Sequence, residues 1–156
     1  MNRVHTMALL LLGLWPVLAQ SVRLEPTSWE TQGASWEQVL SGRGSWTFTA
    51  DLVYQTPGSG AFRILLELVA AGPAGANLSA FVTPGTPQRL SGTGALGTLA
   101  VSGPTLWPSG FHPLIQGIDP GVGGRLPLEL TLSASAPGPL PPGYYFLQAT
   151  VLLMPQ

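Results

Sequence analysis

The sequence predicts an all-β protein, either a sandwich or a barrel of about seven short strands. Apolar and polar residues alternate along several short segments, as they do in strands that bury one face. Turns rich in glycine and proline separate these segments, and the chain contains 20 glycines and 16 prolines. A self-similar period of roughly 20–50 residues is absent, so the sequence does not indicate a repeat architecture.

The strongest strand signals lie at residues 46–55, 126–133 and 144–153. In the first two segments, large apolar side chains occupy every second position, and the third is aromatic and β-branched. Pro127, inside the second segment, predicts a sheet edge or a strand start because proline donates no ladder hydrogen bond.

Four further segments give weaker signals. Residues 22–24 and 76–82 predict short strands. Residues 61–71 (AFRILLELVAA) fit a strand, which we favour, but Arg63 and Glu67 would also form an i,i+4 pair on a helix. Residues 91–124 are rich in glycine and weakly periodic, with two short strands expected near residues 99–101 and 114–116.

Residues 1–19 are predicted to be a cleaved secretory signal peptide. Arg3 precedes an apolar run that ends at Ala19, and the residues before Gln20 suit a signal peptidase. The run is shorter than the roughly 20 residues that span a bilayer, although retention as an uncleaved anchor is the alternative. We therefore expect residues 20–156 to form a single domain that is secreted, periplasmic or at the cell surface, without stable membrane insertion.

Composition excludes several functional classes. The chain has no lysine, and its six arginines and seven carboxylates give a net charge of −1, so nucleic-acid binding lacks its electrostatic driving force. Because there is no cysteine, burial and backbone pairing must stabilise the fold without disulfides. Two histidines and scattered carboxylates predict no metal site and no cofactor.

Catalytic motifs are weak. Residues 92–97 spell G-x-G-x-x-G, but neither a strand before them nor a helix after them supports a dinucleotide site. His112 precedes a proline, and no G-x-S-x-G motif accompanies it. Five glutamates give no specific pair for glycoside hydrolysis. We therefore predict a protein that is not an enzyme.

Tryptophans provide the most specific binding candidates. Trp29 and Trp36 are flanked by serine and glutamate, outside the alternating segments, whereas Trp46 lies in one of them. Exposed tryptophans stack on sugars or anchor protein partners. The two candidates therefore predict a carbohydrate or partner site, and the alternative is that they cover one end of the fold.

The C-terminal segment resembles the spore coat protein U family of secreted pilin-like subunits. Pro142-Gly143-Tyr144 is followed, after three residues, by the strand Gln148–Leu152. In that family a Gly-x-Tyr turn introduces the final strand of an immunoglobulin-like sandwich, and Gly143-Tyr144-Tyr145 would be that turn here. The resemblance covers about a fifth of the chain, and the cysteines common in the family are absent.

The resemblance implies an immunoglobulin-like antiparallel β-sandwich whose subunits polymerise by strand addition. The chain would then be an exported structural or adhesive protein, a surface-fibre subunit that pairs with itself or with other surface subunits. The mature N-terminus would be the donor strand, with Val22 and Leu24 as its apolar residues. The rival hypothesis is a secreted module that binds carbohydrate through Trp29 and Trp36.

Overall fold

The computed structural model describes residues 6–10, 21–27 and 35–156, with side chains described in the last two ranges. The predicted cleavage site between Ala19 and Gln20 and the candidate binding residue Trp29 lie outside the described residues.

Two sheets form a sandwich, which confirms the all-β prediction. All strand pairs are antiparallel except β1–β11, which is parallel. The first sheet has the order β1 (Thr6–Leu10), β11 (Tyr145–Pro155), β4 (Phe62–Ala71), β9 (His112–Ile118) and β7 (Thr98–Leu99). The second has the order β2 (Ser21–Pro26), β3 (Arg43–Gln55), β10 (Gly123–Ser135), β5 (Asn77–Pro84) and β8 (Thr105–Leu106), with β6 (Gln88–Ser91) also paired to β10.

The core lies between the sheets and is built by period-two alternation. Along β3 and β10 every second side chain is buried, and the even-numbered residues of both strands face inward. Burial of each large side chain contributes about 1.5–3 kcal/mol, so the two long strands supply much of the stability. The largest fully buried side chains include Trp46, Tyr54, Tyr145, Leu52, Ile64, Leu66 and Leu130.

The ambiguous segment 61–71 is a strand, as favoured. Its even-numbered residues, from Phe62 to Leu68, are buried, while Arg63 and Glu67 lie on the outer face of the sheet. Antiparallel pairing with β11 runs without a break from Phe62 to Ala71. As a strand, this segment buries its apolar even-numbered residues on one face of the sheet. This burial outweighs the i,i+4 pair that Arg63 and Glu67 would form on a helix.

Pro127 occupies a central strand, which corrects the edge prediction. It pairs with Asp51 of β3 on one side of β10. Its carbonyl oxygen accepts a hydrogen bond from the Gly85 N–H, at 2.8 Å, on the other side. The proline nitrogen points to that same side, where pairing passes from β6 to β5. The missing N–H therefore falls where the register with β6 ends, at Arg125, and before the register with β5 begins, at Leu128.

A short helix, α1 (Trp36–Ser41), precedes β3 and was not predicted. Ser35 caps it: its hydroxyl accepts from the Gln38 N–H, and the Gln38 side chain accepts from the Ser35 N–H. Gly42 ends the helix in the left-handed region, with φ of 70°. The S-x-x-Q spacing was a visible capping-box signal.

Candidate functional site

The outer edge of β11 is the most unusual feature of the sandwich. β1 pairs with it in parallel, Thr6 opposite Tyr145 and Leu10 opposite Ala149. The Gln156 N–H donates to the carbonyl oxygen of Ala61, which immediately precedes β4. The main-chain groups of even-numbered residues of β11 therefore point towards β4. Because main-chain groups alternate in direction along a strand, those of Tyr145, Leu147 and Ala149 face β1.

Apart from its cover by β1, this edge carries none of the usual protection against pairing with other chains. β11 has no charged residue, and its register with β4 shows no bulge. Natural edge strands are normally blunted by charges, prolines or bulges, or are covered by another element. Pro155 stands only at the far end of the strand. Cover by β1 is therefore what protects the stretch from residue 145 to residue 149.

Tyr145 anchors the beginning of this edge in the core. Its ring stacks on Trp46 with centroids 5.2 Å apart, and its hydroxyl donates to the Pro141 carbonyl oxygen at 2.8 Å. Burial raises the pKa of its phenol above the usual value. The backbone that β1 contacts is thus held by a buried, neutral tyrosine.

Val22 and Leu24, the predicted donor-strand residues, lie in β2 of the chain's own second sheet. Leu24 is 1% exposed, and the strand pairs with β3 from Ser21 to Pro26. β2 also packs close to β11 across the sandwich edge. In this structure both residues pack into the core of the sandwich, in a strand that lies near β11.

The described tryptophans differ sharply in exposure. Trp36, on α1, is 69% exposed, and Leu40, one helical turn later, is 59% exposed. Trp46 and Trp107 are buried, and the Trp107 indole N–H donates to the Leu66 carbonyl oxygen at 2.9 Å. Of these three side chains, only that of Trp36 is accessible to a ligand.

The G-x-G-x-x-G segment has a structural explanation. A side chain at Gly92 would collide with the Gly121 carbonyl oxygen, and one at Gly97 with Ile115. Both glycines also have positive φ, 76° and 95°. Arg89 donates to the carbonyl oxygens of this loop, at Gly92 and Gly94. The glycines therefore let a loop pack against the sandwich.

His112 and Asp119 have separate structural partners. A ring nitrogen of His112, Nε2, lies 2.7 Å from the Ser109 carbonyl oxygen, and the ring packs edge-on against Trp107. The Asp119 carboxylate accepts from the Ala95 N–H at 2.7 Å. These contacts hold the ends of β9, and neither side chain has a nucleophile as its partner in the described residues.

Charged residues on the outer face of the second sheet form ion pairs. Arg23 contacts Glu25 at 2.6 Å, and Arg125 lies 3.9 Å from Glu25 and 3.7 Å from Asp51. Exposed pairs of this kind contribute about 0–1 kcal/mol each. Within residues 6–10, 21–27 and 35–156 there is no cluster of potential metal ligands, and no helix is long and apolar enough to cross a membrane.

Comparison with protein-family models, curated proteins and solved structures found no match. The candidate site therefore rests on its own geometry. Sequence reasoning singled out Val22 and Leu24 but missed the outer edge of β11. The absence of charge over residues 145–155 was the signal that could have indicated an edge in need of a partner.

Proposed function

We propose that this protein is an exported, non-catalytic subunit of a surface structure, and that it assembles by accepting a strand at the outer edge of β11. The observation that carries the proposal is the parallel pairing of Tyr145–Ala149 with β1, a segment inside the predicted signal peptide. A cut before Gln20 would remove β1 and leave this uncharged edge without its cover. The resemblance to secreted pilin-like subunits agrees with such assembly.

The strand order supports an immunoglobulin-like type of sandwich. In constant-type immunoglobulin domains the two sheets run A-B-E-D and C-F-G. Here β2-β3-β10-β5 follows A-B-E-D, and β4-β11 follows C-F. Among the described strands, the one beside β11 in the position of G is β1. In the exported form, the donor in that position would be another polypeptide.

Strand addition of this kind combines two contributions. Main-chain hydrogen bonds to Tyr145, Leu147 and Ala149 would supply affinity, and alternate side chains of the donor would supply specificity. Val22 and Leu24, on the adjacent edge of β2, would contact the incoming strand. The donor itself would be a segment of another subunit, because β2 is already paired with β3.

Removal of the leader tests the proposal directly. We expect residues 20–156 to form oligomers or fibres in size-exclusion chromatography and electron microscopy. A peptide of residues 3–12, made soluble by a lysine tag, should keep that chain monomeric. Gln148→Lys, a charge on the outer face of β11, should reduce assembly about tenfold. Gln88→Lys on exposed β6 is the matched control and should leave assembly unchanged.

Two results would overturn the proposal. The first is a chain of residues 20–156 that stays monomeric at high concentration with slow amide exchange at Tyr145, Leu147 and Ala149. The second is an assembly that forms equally well in the presence of the peptide. Either result would mean that the β11 edge does not accept a strand.

A secreted carbohydrate-binding module is the second candidate, and the exposure of Trp36 favours it. The adjacent exposed Leu40 extends the apolar surface of α1. A glycan-array screen of the wild type and of Trp36→Ala tests this candidate. Binding that disappears in the variant would support it, and the absence of binding to any glycan would reject it.

A further inference from the structure

A second unpaired backbone region lies on the opposite side of β4 from β11. β9 covers β4 only as far as Leu66, which pairs with His112. Beyond that point the second half of β4 faces the first half of β5 across a groove of about 540 Å³. The groove lies between the two sheets, and its walls include Leu68, Ala70, Leu78, Leu106 and Trp107.

Main-chain groups of both walls point into this groove. The Leu66 carbonyl oxygen accepts from the Trp107 indole N–H. Because main-chain groups alternate in direction along a strand, those of the even-numbered residues of β4 point towards the groove. Leu68 and Ala70 therefore present N–H and C=O groups there, and no described strand pairs with them on this side of β4. On the other wall, the Ala80 carbonyl oxygen accepts from the Trp107 N–H, so Leu78 faces the groove as well.

A carboxylate lies at the same groove. Glu67 lies at the rim of the groove, with its side chain on the outer face of β4, and it is half-buried. The ion pairs of the described residues are confined to Arg23, Arg125, Glu25 and Asp51, so Glu67 has no described cationic partner. Burial of a charge is costly unless the charge is paired, so a half-buried carboxylate of this kind favours the binding of a basic side chain.

We propose that this groove binds an extended peptide carrying an arginine or a lysine. The peptide would continue the first sheet where β9 leaves it, pairing with the main chain of Leu68 and Ala70, and its basic side chain would contact Glu67. A strand of four residues is about 13 Å long, which matches the open half of β4. This inference is independent of the proposed function, because β4 separates the groove from the β11 edge.

Amide exchange and calorimetry on the full chain test the inference. The probes are end-capped pentapeptides with arginine at the centre and alternating valine, threonine or phenylalanine around it. We expect binding to slow exchange of the Leu68 and Ala70 amides about tenfold. Replacing the central arginine of each peptide by glutamate should abolish binding, because it faces Glu67 with a like charge.

Matched variants separate charge recognition from general electrostatics. Glu67→Gln should weaken binding of the arginine peptides about tenfold. Glu129→Gln makes the same charge change on an exposed position of β10 and should leave binding unchanged. The inference is wrong if no arginine peptide binds at millimolar concentration, if the glutamate peptides bind equally, or if the slowed amides lie away from β4. Retention of full affinity by Glu67→Gln would also overturn it.

Discussion

Two strand edges of the same sheet differ in how they are protected. The outer edge of β11 is long and uncharged, and the chain covers residues 145–149 with β1. The open half of β4 is short, recessed between the sheets, and accompanied by Glu67. Cover and charge are both means by which sheets protect their edges, and each of these two stretches has one of them.

Under the two proposals above, the regions have different roles. A long uncharged edge suits permanent association, because a partner strand gains hydrogen bonds and loses no charge hydration. A short groove with one carboxylate suits selective and reversible binding, since charge opposes the wrong partners. Both regions are built on the same core. Substitutions in that core should therefore show whether the two regions lose stability together or separately.

The largest effect is expected from Trp46→Ala. Trp46 stacks on Tyr145 beneath the β11 edge, and its loss should lower the free energy of unfolding by about 3–5 kcal/mol. Urea unfolding measures it. Trp36→Ala, at an exposed site, is the control and should change stability by less than about 0.5 kcal/mol. Equal effects of the two substitutions would show that the stacking does not support the edge.

Alkaline pH tests whether the two regions belong to one cooperative unit. Tyr54 is buried and donates to the Leu96 carbonyl oxygen at 2.8 Å. Burial raises its pKa to about 12, against the opposing effect of the Arg89 charge. Since the folded pKa exceeds the ordinary value of 10.0, the associated stability is complete below pH 10 and is lost as the pH rises towards 12.

We expect a loss of about 2–3 kcal/mol over that range, measured by urea unfolding at a series of pH values. Tyr54→Phe should flatten this dependence. The pH dependence of stability that remains in this variant should come in part from Tyr145, whose pKa is also raised by burial. Beyond the acceleration that base catalysis causes in every amide, exchange at Leu68 and Leu147 should speed up by the same factor. Acceleration at only one of them would divide the sandwich into separate units.

Trp107→Phe should have a smaller effect, directed at the groove. It keeps an aromatic ring but removes the N–H that the Leu66 carbonyl oxygen accepts. Leaving that buried carbonyl unpaired should cost about 1–3 kcal/mol in unfolding free energy. Assembly of residues 20–156 through β11 should be unchanged. A fall in assembly, or a cost below about 0.5 kcal/mol, would contradict this separation.

Much of the fold follows from local alternation in the sequence. The long strands β3, β10 and β11 were predictable because each buries one face, so their side chains repeat every two residues. Strand β4 was favoured correctly for the same reason. The helix α1 was missed although its capping box was visible, since six residues give too little periodicity to outweigh a loop assignment.

The candidate sites were harder to predict because they depend on what is not paired. Whether the backbone of Leu68 or Leu147 has a neighbour is decided by strands distant in sequence, β9 and β1. Side-chain periodicity carries no information on that point. Val22 and Leu24 were recognised as a strand, but only the register with β3 assigns that strand to the chain's own sheet.

Pro127 has a consequence for folding fidelity. In the native register its nitrogen faces the gap between β5 and β6. A slip of β10 by one residue would turn that nitrogen towards β3, where the ladder requires an N–H, and would move the leucines of β10 to the solvent side. Both penalties arise in one step, so misaligned pairing of the two longest strands is strongly disfavoured. The proline therefore stabilises the native register of β10 relative to a register slipped by one residue.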